Sequence, residues 1–122
     1  MEESEKYRIY YYADHKGKEP VKKYIDKLSR KEQLKVFAYL ELLKDKKGYL
    51  DEPYSKHIKG KIRELRVDFS KNHHRIFCFT FIGKKIIILS AFLKKTAKTP
   101  QKEIEKAINN YRDFLINKNK YE

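Results

Sequence analysis

The chain has 122 residues, 40% of them apolar and including ten Tyr and seven Phe, enough for one domain that buries about two-thirds of its unfolded surface. Thirty Lys and Arg against seventeen acids give a formal net charge of +13, a field that attracts nucleic acid, an anionic membrane or an acidic protein. With 39% of its residues charged beside that apolar content, it reads as a folded body with a solvated exterior, which excludes a disordered chain. Genome bias or thermal adaptation could also enrich Lys, but neither would concentrate cations in residues 56–66 and 94–106. The one cysteine, Cys78 in an apolar FCF run, excludes a disulfide framework and fits a reducing cytoplasm. No run approaches the ~20 apolar residues that span a bilayer. The acidic start MEESEK has no apolar segment of a leader peptide. A soluble cytoplasmic protein without a membrane partner is expected.

Tyr7 to Tyr12 alternates loosely and reads as a first strand, followed by a turn over Asp14 to Lys18 around Gly17. Pro20 then opens a helix, where its missing N–H costs nothing, and Val21, Tyr24, Ile25 and Leu28 give it one apolar stripe. Ser29 with Glu32 is a capping box for a second helix carrying Leu34, Phe37, Leu40 and Leu43 until Gly48. The two form a helical hairpin suited to packing on a sheet. Residues 49–60 read as loop around Pro53. Strands of about 61–69, 73–82 and 85–93 follow, the last two joined by a tight turn at Ile82-Gly83-Lys84. Thr99 reads as an N-cap and Pro100 as the first residue of a last helix, striped by Ile104, Ala107, Ile108, Tyr111, Phe114 and Leu115. The polar tail from Asn117 to Glu122 is expected to fray. The order β-α-α-β-β-β-α predicts one α+β domain over residues 1–122, with a small antiparallel sheet.

Strand alternation assigns the candidate site. Leu65, Val67 and Phe69 share the phase that faces the helices. Glu64 and Arg66 share the opposite, open face, while Arg63 lies on the core-side phase and is expected to reach the rim. Lys56, His57, Lys59 and Lys61 sit just upstream. Such a stretch is either an edge strand blunted by Lys or a phosphate-binding surface. A sheet face rarely carries Arg without a partner, which favours the second. Arg75, opening the next strand, could grip a phosphate bidentately or pair with Glu64. His57, set among cations, is the candidate for proton transfer, although a lone loop His is commonly just a surface residue. His73 and His74 are adjacent on a strand and point to opposite faces, so they cannot chelate one ion. No carboxylate pair at ligand spacing accompanies them, and neither a metal nor another cofactor is expected. Lys94, Lys95 and Lys98 lead into the last helix, whose N-terminus would attract the same anion. A P-loop, a dinucleotide fingerprint and a Ser-based triad are all missing from the sequence. What remains suits RNA cleavage by the substrate's own 2′-OH. Arg and Lys would stabilise charge on the phosphoryl oxygens, and acid–base help would add about 10²–10⁴-fold.

The wording of three segments is also familiar: I-x-E-L-R at 62–66, an Arg-led aromatic strand from Arg75, and F-x-K-K-T-x-K-T-P-x-x-E-I at 92–104. Together they resemble the RelE/HigB superfamily of type II toxins, in its HigB-like, phage Gp49-related branch. The resemblance covers most of the chain, is strongest over 57–107 and is weak over the helical hairpin. It implies a small RelE-like domain that cleaves mRNA on the ribosome and is neutralised by a HigA-like helix-turn-helix antitoxin. By motif position it assigns catalytic roles to Arg63, Arg66, Arg75 and Lys94, with His57 resembling a His some members carry. Lys56, Lys59, Lys61, Lys95 and Lys98 are the accompanying RNA-binding residues. One departure stands out: relatives often have His just before F-x-K-K-T, where this chain has Ser90 and Ala91. A toxin of the same fold that blocks a protein target such as gyrase, and a non-enzymatic basic RNA-binding module, are the alternatives.

Overall fold

The computed structural model describes residues 6–121. The acidic start, read above as lacking a leader, and Glu122 of the tail lie outside the described residues. The apolar runs Ile76–Phe79 and Ile86–Leu89 show no alternation because their strands are covered on both sides. Ile76, Cys78, Ile86 and Ile88 pack in one core with Val21, Ile25, Val36 and Leu43. Phe77, Phe79, Ile87 and Leu89 pack in a second core with Ala107 and Phe114. The result is three layers: a helical hairpin, a sheet, and a third helix. No helix among the described residues is long and apolar enough to cross a membrane.

In chain order the elements are β1 (Arg8–Tyr11), α1 (Pro20–Asp26), α2 (Arg30–Asp45), β2 (Ser55–Lys59), β3 (Ile62–Phe69), β4 (Asn72–Phe81), β5 (Lys85–Lys94) and α3 (Gln101–Ile116). The α+β class is as expected, and the three long strands fall within a residue or so of the expected 61–69, 73–82 and 85–93. Two features of the sheet differ. Its spatial order is β1-β5-β4-β3-β2, and β1 runs parallel to β5, pairing Ile9 with Ile86 and Tyr11 with Ile88. The sheet is therefore mixed, not antiparallel. Residues 55–59, read as loop, form β2, antiparallel to β3 with Ser55 opposite Leu65. Only Ile58 gives this edge strand any apolar signal, so pairing with β3 decides its conformation.

The face of α2 is also rotated from the expected stripe. Leu40 and Leu43 are buried as expected, but Leu34 and Phe37 are 52% and 43% exposed while Val36 is sealed. The cause is Glu32. It closes the capping box with Ser29 and also accepts from buried His74, Nε2 to Oε2 at 2.7 Å, which turns the 32-36-40-43 line inward. The helix ends in a Schellman motif: Lys47 is left-handed (φ 59°) and the Gly48 N–H reaches the Leu43 carbonyl at 2.8 Å. Gly48 is required there, since a Cβ would sit 2.1 Å from the Thr80 hydroxyl.

At α3 the N-cap is Pro100, not Thr99; the Thr99 hydroxyl is drawn away to Glu64 on β3 at 2.7 Å. Phe79 makes T-shaped contacts with Tyr111 and Phe114, with centroids 4.7 and 5.5 Å away, contacts worth about 0.5–1.5 kcal/mol each beyond area burial. The described tail does not fray. Lys118–Tyr121 forms a 3₁₀ turn, Tyr121 is buried, and its hydroxyl accepts the Ala13 N–H at 2.9 Å.

Candidate active site

Helix α3 covers its side of the sheet over Phe79, Phe81 and Leu89. Beyond that cover, the other ends of β3, β4 and β5 lie open, because the chain leaves β5 through the 95–100 loop before α3 begins. This face carries an alternating row on β3 (Glu64, Arg66, Asp68) beside one on β4 (His73, Arg75); Glu64, expected to be open, is fully buried under Thr99, and Arg75 is nearly so. Register places Arg66 opposite Arg75 and Asp68 opposite His73. Lys94 on β5 lies opposite His73, and Phe92 opposite Arg75. A depression of about 430 Å³ is lined by Asp68, Lys71, His73, Arg75, Lys94 and Lys95.

Like charges directly opposed across a sheet are destabilising unless each has its own partner. Arg66 has Glu64: Nε lies 3.5 Å from Oε1, and the other oxygen of this fully buried carboxylate accepts from Thr99. Arg75 has Asp68, not the Glu64 that the sequence offered. Its Nη1 donates to Asp68 Oδ1 at 2.7 Å and to the His74 carbonyl at 3.0 Å. Arg75 is 7% exposed, and among the described residues no acceptor meets its buried Nε–H. Burial alone would raise the Asp68 carboxyl, but hydrogen bonds from Arg75 and His73 outweigh it and hold the group below its usual range. Asp68 Oδ1 also lies 3.1 Å from His73 Nδ1. An ionised carboxylate only accepts, so Nδ1 is the donor of this bond, and in the neutral ring Nε2 is the atom that can accept a proton.

Of the residues expected from sequence, the structure brings together Arg66, Arg75, Lys94 and Lys95. Lys56 projects from the same face on the outer strand, opposite Glu64. The others are elsewhere. Arg63 does not reach this rim. It lies on the hairpin side, with Nε donating to Ser55 Oγ at 3.0 Å and Nη2 to the Leu50 carbonyl at 3.2 Å, and its guanidinium sits 4.4 Å over the Tyr49 ring. His57 pairs with Arg63 and shares that side, with Nε2 2.8 Å from the Gly60 carbonyl. Lys61 lines a separate groove there with both of them. Lys59 is exposed past a bulge in β2, and Lys98 is exposed in the loop after β5; neither lines the depression.

The two adjacent histidines do point opposite ways. His74 is buried between Tyr24 and Glu32, 2.7 Å from each. His73 lies in the site, and it and Asp68 were missed. The signal for them was present, since 64, 66 and 68 share one phase on β3 while 73 and 75 share the matching phase on β4.

Among curated proteins none matches the chain. The family model of phage-derived Gp49-like proteins matches residues 23–112, which include β2 to β5 and every residue lining the depression. The chain belongs to this family, a toxin-like family related to the RelE/HigB-type toxins.

Proposed function

We propose that this protein is a HigB-like toxin that arrests translation by cutting mRNA on the ribosome, with Arg66 and Arg75 gripping the scissile phosphate. The observation that carries this reading is the opposed pair itself: two guanidiniums on adjacent strands, each tethered by its own carboxylate, Arg75 lining an open cationic depression and Arg66 directly opposite it. A phosphoryl group bridging them would meet planar, bidentate donors that Lys does not copy. Lys94 at the end of β5 and Lys95 just past it extend the positive surface, and Lys56 extends it at the outer strand. As the RNA 2′-oxygen attacks phosphorus, negative charge grows on the phosphoryl oxygens, and donors fixed beforehand are worth most at that moment.

Its antagonist would be an acidic segment of a helix-turn-helix antitoxin that covers this face, steered in by the +13 charge. Primer extension on a defined mRNA, with and without ribosomes, tests the reading. Cleavage that requires ribosomes supports it. Intact RNA combined with persistent growth arrest would point to a protein target. Tight RNA binding with neither effect would point to a binding module.

A further inference from the structure

We infer that His73, oriented by Asp68, is the proton-transfer catalyst of this site and takes the proton from the attacking ribose 2′-OH. The inference rests on the RNA-cleaving reading and deepens it.

Of the four histidines, His73 alone faces the depression. His74 is sealed between Tyr24 and Glu32, His57 lies on the other side of the sheet, and His15 is in the exposed turn before α1. The His73 side chain is 48% exposed, so a substrate hydroxyl can reach it. Asp68 Oδ1 is shared: it accepts from Arg75 Nη1 at 2.7 Å and from His73 Nδ1 at 3.1 Å. One carboxylate oxygen thus fixes the imidazole tautomer and ties it to the guanidinium proposed to hold phosphate. The charged groups facing the ring are Asp68 from β3, Arg75 from its own strand, Lys94 and Lys95 from the end of β5, and Lys71 from the β3–β4 turn.

In the step, the 2′-oxygen bonds to phosphorus as its proton passes to His73 Nε2. The bond from phosphorus to the 5′-oxygen breaks, and that oxygen takes a proton from the Lys94 ammonium. The products are a 2′,3′-cyclic phosphate and a 5′-hydroxyl, and both side chains then re-equilibrate with solvent. No electrons change hands.

The test is the single-turnover cleavage rate of mRNA on programmed ribosomes across pH, using the full chain. The variants are His73→Gln, His73→Gly, Asp68→Asn and, as a control, His57→Gln, each checked by melting curve and by ribosome binding. His73→Gln is expected to lose about 10²–10⁴-fold in rate and to lose the rising acidic limb of the wild-type profile. Free imidazole should restore part of the His73→Gly rate. Asp68→Asn should slow cleavage and shift the limb, while His57→Gln should keep both. If the wild type cleaves and His73→Gln keeps its rate and limb, the inference is overturned while the RNA-cleaving reading stands. If the folded wild type cleaves nothing, the reading itself fails, and the inference with it.

Discussion

Arg66 and Arg75 stand directly opposite one another on β3 and β4, and each turns to a different carboxylate on β3, Glu64 and Asp68. The two ion pairs are unlike. Arg66 makes a long contact and keeps part of its side chain open, whereas Arg75 is nearly sealed and bound at 2.7 Å. The site therefore separates a guanidinium that is free to meet a ligand from one that also holds the site's framework together.

Arg75→Lys should cost both rate and stability. A Lys cannot serve Asp68 and the His74 carbonyl with the same fork, and breaking these charge-assisted bonds, one buried and one half-exposed, costs about 1–3 kcal/mol. The melting midpoint should fall together with cleavage. A variant that melts like the wild type would show that the Arg75 contacts contribute little to the fold.

Arg63→Ala should behave as a structural lesion. Its guanidinium ties β3 to Ser55 and to the Leu50 carbonyl and stacks on Tyr49, all on the hairpin side of the sheet. Thermal stability is expected to drop, while the cleavage rate per folded molecule stays near wild type. A specific rate loss of tenfold or more at full folding would return Arg63 to the chemistry.

Glu32 predicts an acid-labile element. Hydrogen bonds from His74, Ser29 and Asn72 hold its carboxyl down at about 2, against an ordinary 4.5. A depressed carboxyl contributes stability that is complete above its unfolded value and is lost as pH falls towards its folded one. The stabilisation should therefore fade between about 4.5 and 2. Glu32→Gln should melt lower than the wild type at neutral pH, and the gap should close in that window. Parallel melting curves from pH 7 to pH 2.5 measure it; a constant gap would contradict the assignment.

Association with RNA or ribosomes should weaken steeply with salt. Several phosphates neutralised by Arg66, Lys94, Lys95 and Lys56 imply a loss of an order of magnitude or more between ~50 and ~200 mM salt. Binding titrations at those concentrations decide it, and a flat response would argue against the open cationic face as the contact surface.

How far the sequence reached depends on which physical signal each element carries. The strands β3 to β5 were legible because their apolar and charged positions alternate or run unbroken, and α1 and α3 because their stripes have the helical period. β2 was hidden, since Lys56, His57 and Lys59 give no strand signal and only pairing with β3 fixes them. The α2 stripe was misphased because a buried polar contact, Glu32 to His74, overrode the apolar pattern. In the site, strand phase put Glu64 and Arg66 on one face, and Arg75 was singled out only as the residue opening the next strand. The ends of long side chains were less legible. Arg63 turned to Ser55, Arg75 chose Asp68 over Glu64, and Thr99 capped Glu64 instead of a helix, each directed by a neighbour that is distant in sequence or on another strand.

Arg66→Lys puts the central claim to its most direct test, because this substitution keeps the charge and removes only the planar fork. Losing one preorganised donor of this kind typically costs ~10²–10³ in rate, about 2.7–4 kcal/mol. The account predicts that loss in ribosome-programmed mRNA cleavage, with a melting curve that overlays the wild type. Cleavage at the wild-type rate, or a loss that merely follows unfolding, would contradict it.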